Sequence, residues 1–297
     1  MQEPVTFVSD GLKLAGIVHI PDDIKPGERR PAIMVLHGFG GTKDGGGAII
    51  QCEEFASRGY VALRFDYRGC GESEGEHGWI ICMDQVSDTS NALTYMASRP
   101  DVEPDRIGVI GSSFGGAVGI YTAGVDPRVA AVISCGGWGD GERKFRGQHS
   151  TPEAWKHFQD ILEEGEGYRE RTGESMMVPR YDIVPIPEHL RVNLTSASID
   201  YFPWETVRSM YDFRADDVVG QIAPRPLILL HSAKDSVTPT EQSIELFKRA
   251  GQPADLHLLA NVDHFMFNEG PNRVWETIDA WLAKYFPVKQ TAAAPSA

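Results

Sequence analysis

Gly111-Ser112-Ser113-Phe114-Gly115 is the stretch on which the fold turns. It follows Arg106-Ile107-Gly108-Val109-Ile110, which reads as a strand, and precedes Gly116-Ala117-Val118-Gly119-Ile120, which reads as the start of a helix. In that setting the pattern G-x-S-x-G is a nucleophile elbow. Small flanking residues let a sharp strand-to-helix turn hold its serine in a strained, exposed conformation. The helix that follows directs its N-terminal N–H groups and dipole at any anion that forms beside Ser113. The register puts Ser113, and not the neighbouring Ser112, at the apex.

Working outward, apolar strands alternate with helical stretches. Strands are expected at 32–36, 60–65, 107–110, 130–134, 227–230 and 254–259, and helices at 48–57, 84–97, 113–123, 240–250 and 273–285. Buried-type strands interleaved with helices predict an α/β fold with a mostly parallel sheet covered on both faces. Ahead of them, two alternating segments flank Asp10-Gly11, a hairpin signal that adds antiparallel strands. The alternation breaks between Trp138 and Phe202, where the chain is helix-rich with no clear strand. An inserted helical cap over the carboxyl ends of the strands accounts for it better than a structureless loop. The expected organisation is a core of residues 1–137 and 206–288, a helical cap of 138–205 and a disordered Ala/Pro/Ser-rich tail of 289–297.

A serine hydroxyl needs a base to take its proton, and the base needs an orienting acid. On such a sheet the partners follow in the order Ser, Asp, His, each in a loop after a strand. Leu227–Leu230 runs into His231-Ser232-Ala233-Lys234-Asp235, and the next strand runs into Ala260-Asn261-Val262-Asp263-His264. Ser113, Asp235 and His264 are therefore the expected catalytic residues. Asp263, adjacent to the histidine, reads as a loop-bonding residue, and His231 and His257 as structural histidines. The glycine-rich His37-Gly38-Phe39-Gly40-Gly41 follows another strand. There the backbone N–H of Phe39, with that of Phe114, is expected to form an oxyanion hole. His37 is expected to brace the loop.

Composition narrows the partners. A net charge of −14 over 297 residues, with no basic stripe, argues against nucleic acid and anionic membrane. No apolar run spans a bilayer, and the N-terminus lacks a basic and an apolar signal region, so a cytoplasmic protein is expected. Cys52, Cys70, Cys82 and Cys135 show neither metal spacing nor a disulfide framework; they read as reduced thiols, with no metal and no cofactor.

With these residues in place, the chain resembles the α/β-hydrolase superfamily. Phe65-Asp66-Tyr67-Arg68-Gly69-Cys70-Gly71-Glu72-Ser73 looks like the family's D-x-R-G-x-G-x-S loop, which implies a buttress on the active-site side. Together with 37–41 it is most similar to small-cap bacterial esterases, including the cinnamoyl/feruloyl esterase group, and to dipeptidyl-peptidase-like hydrolase domains. Haloalkane dehalogenases and dienelactone hydrolases fit less well, because their nucleophiles are Asp and Cys.

The expected activity is hydrolysis of a small-molecule carboxylic ester with an apolar or aromatic moiety, through an acyl-enzyme. Amide or peptide hydrolysis, C–C hydrolysis and non-catalytic ligand binding are the alternatives, and a homodimer is the assembly state considered. Aromatics crowd the inserted segment. Among them Trp138, Tyr201, Phe202 and Trp204 are the expected pocket lining.

Overall fold

The structure, a computed structural model, describes residues 1–270 and 273–288; the tail expected to be disordered lies outside the described residues. Among the described residues ten strands form: β1 (Gln2–Ser9), β2 (Leu12–His19), β3 (Arg30–Leu36), β4 (Val61–Phe65), β5 (Val102–Ser112), β6 (Val129–Cys135), β7 (Met177–Pro179), β8 (Tyr201–Pro203), β9 (Leu227–Ser232) and β10 (Ala254–Leu259). The α-helices are α1 (Gly46–Ser57), α2 (Cys82–Ser98), α3 (Phe114–Val125), α4 (Gly141–Gln148), α5 (Pro152–Thr172), α6 (Arg180–Ile183), α7 (Trp204–Asp212), α8 (Glu241–Arg249) and α9 (Val274–Tyr285).

Eight strands join one sheet in the order β1-β2-β4-β3-β5-β6-β9-β10. From β4 to β10 every neighbouring pair is parallel, while β1–β2 and β2–β4 are antiparallel. The β1–β2 hairpin turns at Asp10 and Gly11, with φ of 47° and 88°, the positive values of a tight primed turn. Successive residues of β3 point to opposite faces. Ala32, Met34 and Leu36 join one buried cluster with residues of α2 and α3, and Ile33 and Val35 join another with residues of α1 and α9. Helices thus cover both faces, as the unbroken apolar strands require.

The chain runs from β3 outward to β4, then returns past β3 to β5. Loops leaving β3 and β5 therefore part in opposite directions and open a crevice at the carboxyl ends of the sheet. Asp66, at the end of β4, ties the D-x-R-G loop to this edge. Its buried carboxylate accepts from the backbone N–H of Lys43 at 2.6 Å and from that of Glu72 at 3.0 Å. Arg68 of the same loop pairs with the buried Asp88 of α2 at 2.6 Å.

Between β6 and β9 lies the inserted segment. It carries α4–α7 and a two-stranded antiparallel sheet of β7 and β8, strands too short for alternation to reveal from the sequence. The boundary expected at 205/206 falls inside α7, which starts at Trp204.

Candidate active site

Ser113 sits between β5 and α3 with φ 55° and ψ −115°, a region L-residues avoid at a cost of about 1–3 kcal/mol. Close packing enforces it. A methyl group at Gly111 would come 2.1 Å from the carbonyl oxygen of Gly115, and one at Gly115 would come 2.3 Å from that of Leu36. The backbone N–H of Ser113 donates to Cys135 on β6 at 2.8 Å, which pins the turn to the sheet. Ser112 ends β5, and its hydroxyl accepts from Gln51 Nε2 at 3.2 Å.

Asp235 and His264 come together. His264 Nδ1 lies 2.9 Å from Asp235 Oδ2 and 3.1 Å from Oδ1. The carboxylate is fully buried and also accepts the N–H groups of Val237 at 2.8 Å and Thr238 at 2.7 Å. Burial by itself would raise its pKa. The charge on His264 and hydrogen bonds from His231 and His264 outweigh burial and hold it well below the usual carboxylate range. His231 is itself buried. Its Nε2 lies 3.3 Å from Asp235 Oδ2 and its Nδ1 2.6 Å from Ser243 Oγ, so it braces the acid from behind. Asp263 points elsewhere: it accepts from Ser236 N at 2.8 Å and Ser236 Oγ at 2.6 Å, closing one loop onto another.

In the loop after β3, the carbonyl of Gly38 accepts from Gly41 N at 3.0 Å and lies 2.9 Å from His37 Nδ1. A trans peptide points its N–H opposite its C=O, so the Phe39 N–H is turned away from those partners. The Ser113 carbonyl accepts from Ala117 N at 3.2 Å, which turns the Phe114 N–H out of the helix end. His37 accepts from Tyr67 N through Nε2 at 3.4 Å; burial pushes its pKa down, against the opposing pull of Asp66.

Ser113 and His264 share a cavity of about 140 Å³, room for one aromatic ring or a short acyl chain. Its apolar wall includes Val184, Ile186 and Leu194 of the inserted segment with Phe265 and Phe267 beyond β10. Trp138, Tyr201, Phe202 and Trp204 are not among its lining residues, which corrects the expected pocket. Trp138 and Phe202 are fully buried, Tyr201 is exposed, and Trp204 donates its indole N–H to Leu162 O at 3.0 Å. Phe202 stacks on Phe39 with centroids 4.2 Å apart. The largest aromatics went to fastening the segment, and its branched aliphatics took the wall.

Arg180, which no sequence pattern flags, also borders the cavity. It is buried, and donates to the carbonyls of Phe39 at 2.5 Å and Ile199 at 2.7 Å.

A parallel sheet with antiparallel leading strands, helices on both faces and a serine elbow after the central strand defines an α/β hydrolase. Within that class, the chain belongs to the family described as X-Pro dipeptidyl-peptidase (S15 family), which matches residues 10–266. It is 26% identical over 279 residues to the thiohydrolase AneE of Aspergillus aculeatus, covering 86% of this chain and 83% of that protein. The crystal structure of the α/β hydrolase GrgF from a Penicillium species superposes with a TM-score of 0.78 at 24% identity, over 95% of this chain and 97% of that one. Est1E from Butyrivibrio proteoclasticus, solved with ferulic acid bound, gives a TM-score of 0.68 at 19% identity, over 95% and 98% of the two chains.

Proposed function

We propose that the protein is a serine hydrolase that cleaves a carboxylic ester with an apolar or aromatic moiety through an acyl-enzyme. The observation that carries this reading is the meeting of a strained Ser113 with His264 in one cavity, the imidazole anchored by a buried, ionised Asp235.

Ser113 Oγ attacks the ester carbonyl while His264 Nε2 takes its proton. The tetrahedral oxyanion is held by the N–H groups of Phe39 and Phe114, each worth on the order of 3 kcal/mol in the transition state. His264 returns the proton to the leaving alcohol. A water, deprotonated by the same imidazole, then frees the acid. Asp235 fixes the tautomer with the proton on Nδ1 and stabilises the imidazolium. The inserted segment acts as a cap that supplies the aliphatic wall, in keeping with an apolar acyl or aryl group. The setting is cytoplasmic; no helix among the described residues is long and apolar enough to cross a membrane.

Peptide hydrolysis is the second reading, favoured by the family the chain belongs to. Purified protein assayed with p-nitrophenyl esters, aryl esters and an X-Pro p-nitroanilide separates the two. Turnover of esters without the anilide supports the esterase; turnover of the anilide alone overturns it.

A further inference from the structure

Among the described residues the eight-stranded sheet ends in β1 on one side and in β10 on the other. An unpaired edge strand is a template for another chain, and proteins blunt it with proline, with lysine or with a covering segment. β1 carries Pro4, which has no N–H to give. β10 carries neither proline nor lysine. His257 and Leu258 in it are exposed, and Leu258 keeps 44% of its surface. Phe247, on the helix α8 that packs against β10, is exposed as well.

Hydrogen bonds at the two ends of β10 fix which of its residues face outward. Leu227 N donates to Pro253 O at 3.1 Å, and Ala233 N donates to Leu259 O at 2.8 Å. Along a parallel ladder every second residue bonds the same neighbour. Pro253, Asp255, His257 and Leu259 are therefore turned to β9, and Ala254, Leu256 and Leu258 direct their backbone groups away from the sheet. Ala254 N reaches Gln252 Oε1 at 3.3 Å. The backbone groups of Leu256 and Leu258 have no partner among the described residues.

We infer that this edge is an interface between two copies of the chain, their β10 strands joined antiparallel about a two-fold axis at Leu256. A two-fold contact must be complementary to itself, and this strand is. The ladder closes only where outward residues face outward residues. Centred on Leu256, it sets Asp255 of each copy opposite His257 of the other, an acid against a hydrogen-bond donor. In the same register the exposed Leu258 meets the small Ala254. Centring on Asp255 would set two carboxylates face to face, and centring on His257 two imidazoles. Asp255 and His257 also occupy the non-hydrogen-bonded positions, where facing side chains come closest. The inference stands apart from the esterase reading.

Sedimentation of the full chain tests it, at about 0.15 M salt, where charges more than about 8 Å apart are screened. A dimer fraction that rises with protein concentration is expected. Leu256→Pro removes an outward N–H without touching the ladder to β9, and should give a monomer with a native circular-dichroism spectrum. His257→Glu sets acid against acid at two places and should raise the dimer Kd about tenfold. Asp255→Lys/His257→Glu reverses the pair and should restore association, which keeps the test decisive if the proline variant fails to fold. A wild-type chain that stays monomeric at every concentration overturns the interface. So does a dimer unaffected by Leu256→Pro and His257→Glu, whose contact would lie elsewhere. A dimer seen only after removal of residues 289–297 would assign the edge to the chain's own tail and overturn it too.

Discussion

Arg180, on the first turn of α6, donates through Nη2 to the carbonyl oxygen of Phe39 at 2.5 Å, so one guanidinium joins the inserted segment to the loop after β3. The same side chain reaches Ile199 O at 2.7 Å and lies 5.7 Å from the Phe39 ring and 5.9 Å from that of Phe202. Burial pulls its pKa below the ordinary arginine value, with no carboxylate in direct contact to offset the desolvation.

Arg180→Lys should therefore act through the loop. A single ammonium cannot span the carbonyls that the guanidinium fork reaches. A drift of about 1 Å in the Phe39 peptide is enough to lower kcat about 10²-fold. KM should change much less, because the aliphatic wall stays in place. Steady-state kinetics on one short-chain ester check it. Equal damage to kcat and KM, or none to either, would leave Arg180 a simple fastener.

Ser113→Ala should lower kcat by a factor on the order of 10⁶, whereas Ser112→Ala should cost far less, since its hydroxyl is engaged with Gln51. Mass spectrometry after fluorophosphonate treatment should find the label on Ser113 alone.

Asp235→Asn should lower kcat by about 10⁴ by allowing the wrong imidazole tautomer, while Asp263→Asn, which only loosens the Ser236 contact, should stay within about tenfold. Reversed effects would make Asp263 the acid. The wild-type carboxylate is also a pH-linked stabiliser. Its folded pKa lies below the unfolded value near 3.9, so its contribution is complete above that value and is lost as pH falls below it. Denaturant unfolding between pH 3 and pH 6 (about the carboxylate range) should show a smaller acid-side slope in the Asn variant.

Lys144 of α4 is buried with its Nζ unpartnered, 3.8 Å from the Phe145 ring centroid, and burial pushes its pKa down to about 7. The unfolded chain holds a lysine proton up to about pH 10.4. Between about 7 and that value the unfolded state binds more protons, so this group makes stability rise with pH there. Lys144→Met should abolish that rise and raise Tm at neutral pH. A Tm that falls at every pH would show that the cation–π contact stabilises the charged form.

Trp204→Ala should reduce activity on short and bulky esters alike. The indole packs over Gly165 and bonds Leu162 O, away from the cavity. A loss confined to bulky esters, measured as a ratio of kcat/KM, would return Trp204 to the pocket wall.

The core strands and helices were legible because each carries a periodic signal of its own. The strand expected at 254–259 is β10 to the residue, and the one expected at 107–110 is the buried centre of the longer β5. Ahead of that centre β5 also takes in Glu103, Pro104 and Asp105, which apolar patterning cannot see. The same holds for β7 and β8, three residues each, which exist only because they pair with one another.

What the sequence determined by itself is local. The elbow's glycines, the strand before it and the helix after it point to a strained serine, and side chains at Gly111 and Gly115 would collide with the turn's own backbone and with that of Leu36. The order of Ser113, Asp235 and His264 along the chain named the candidates. Only the tertiary structure decided what faces the cavity. Aromatic content marks a residue as fit for burial but not the side from which it is buried, and Phe202 and Trp138 are fully buried against Phe39 and Phe213 instead. Arg180 became visible only when the inserted segment closed on the loop after β3, since a polar residue without its partners looks like any solvated one.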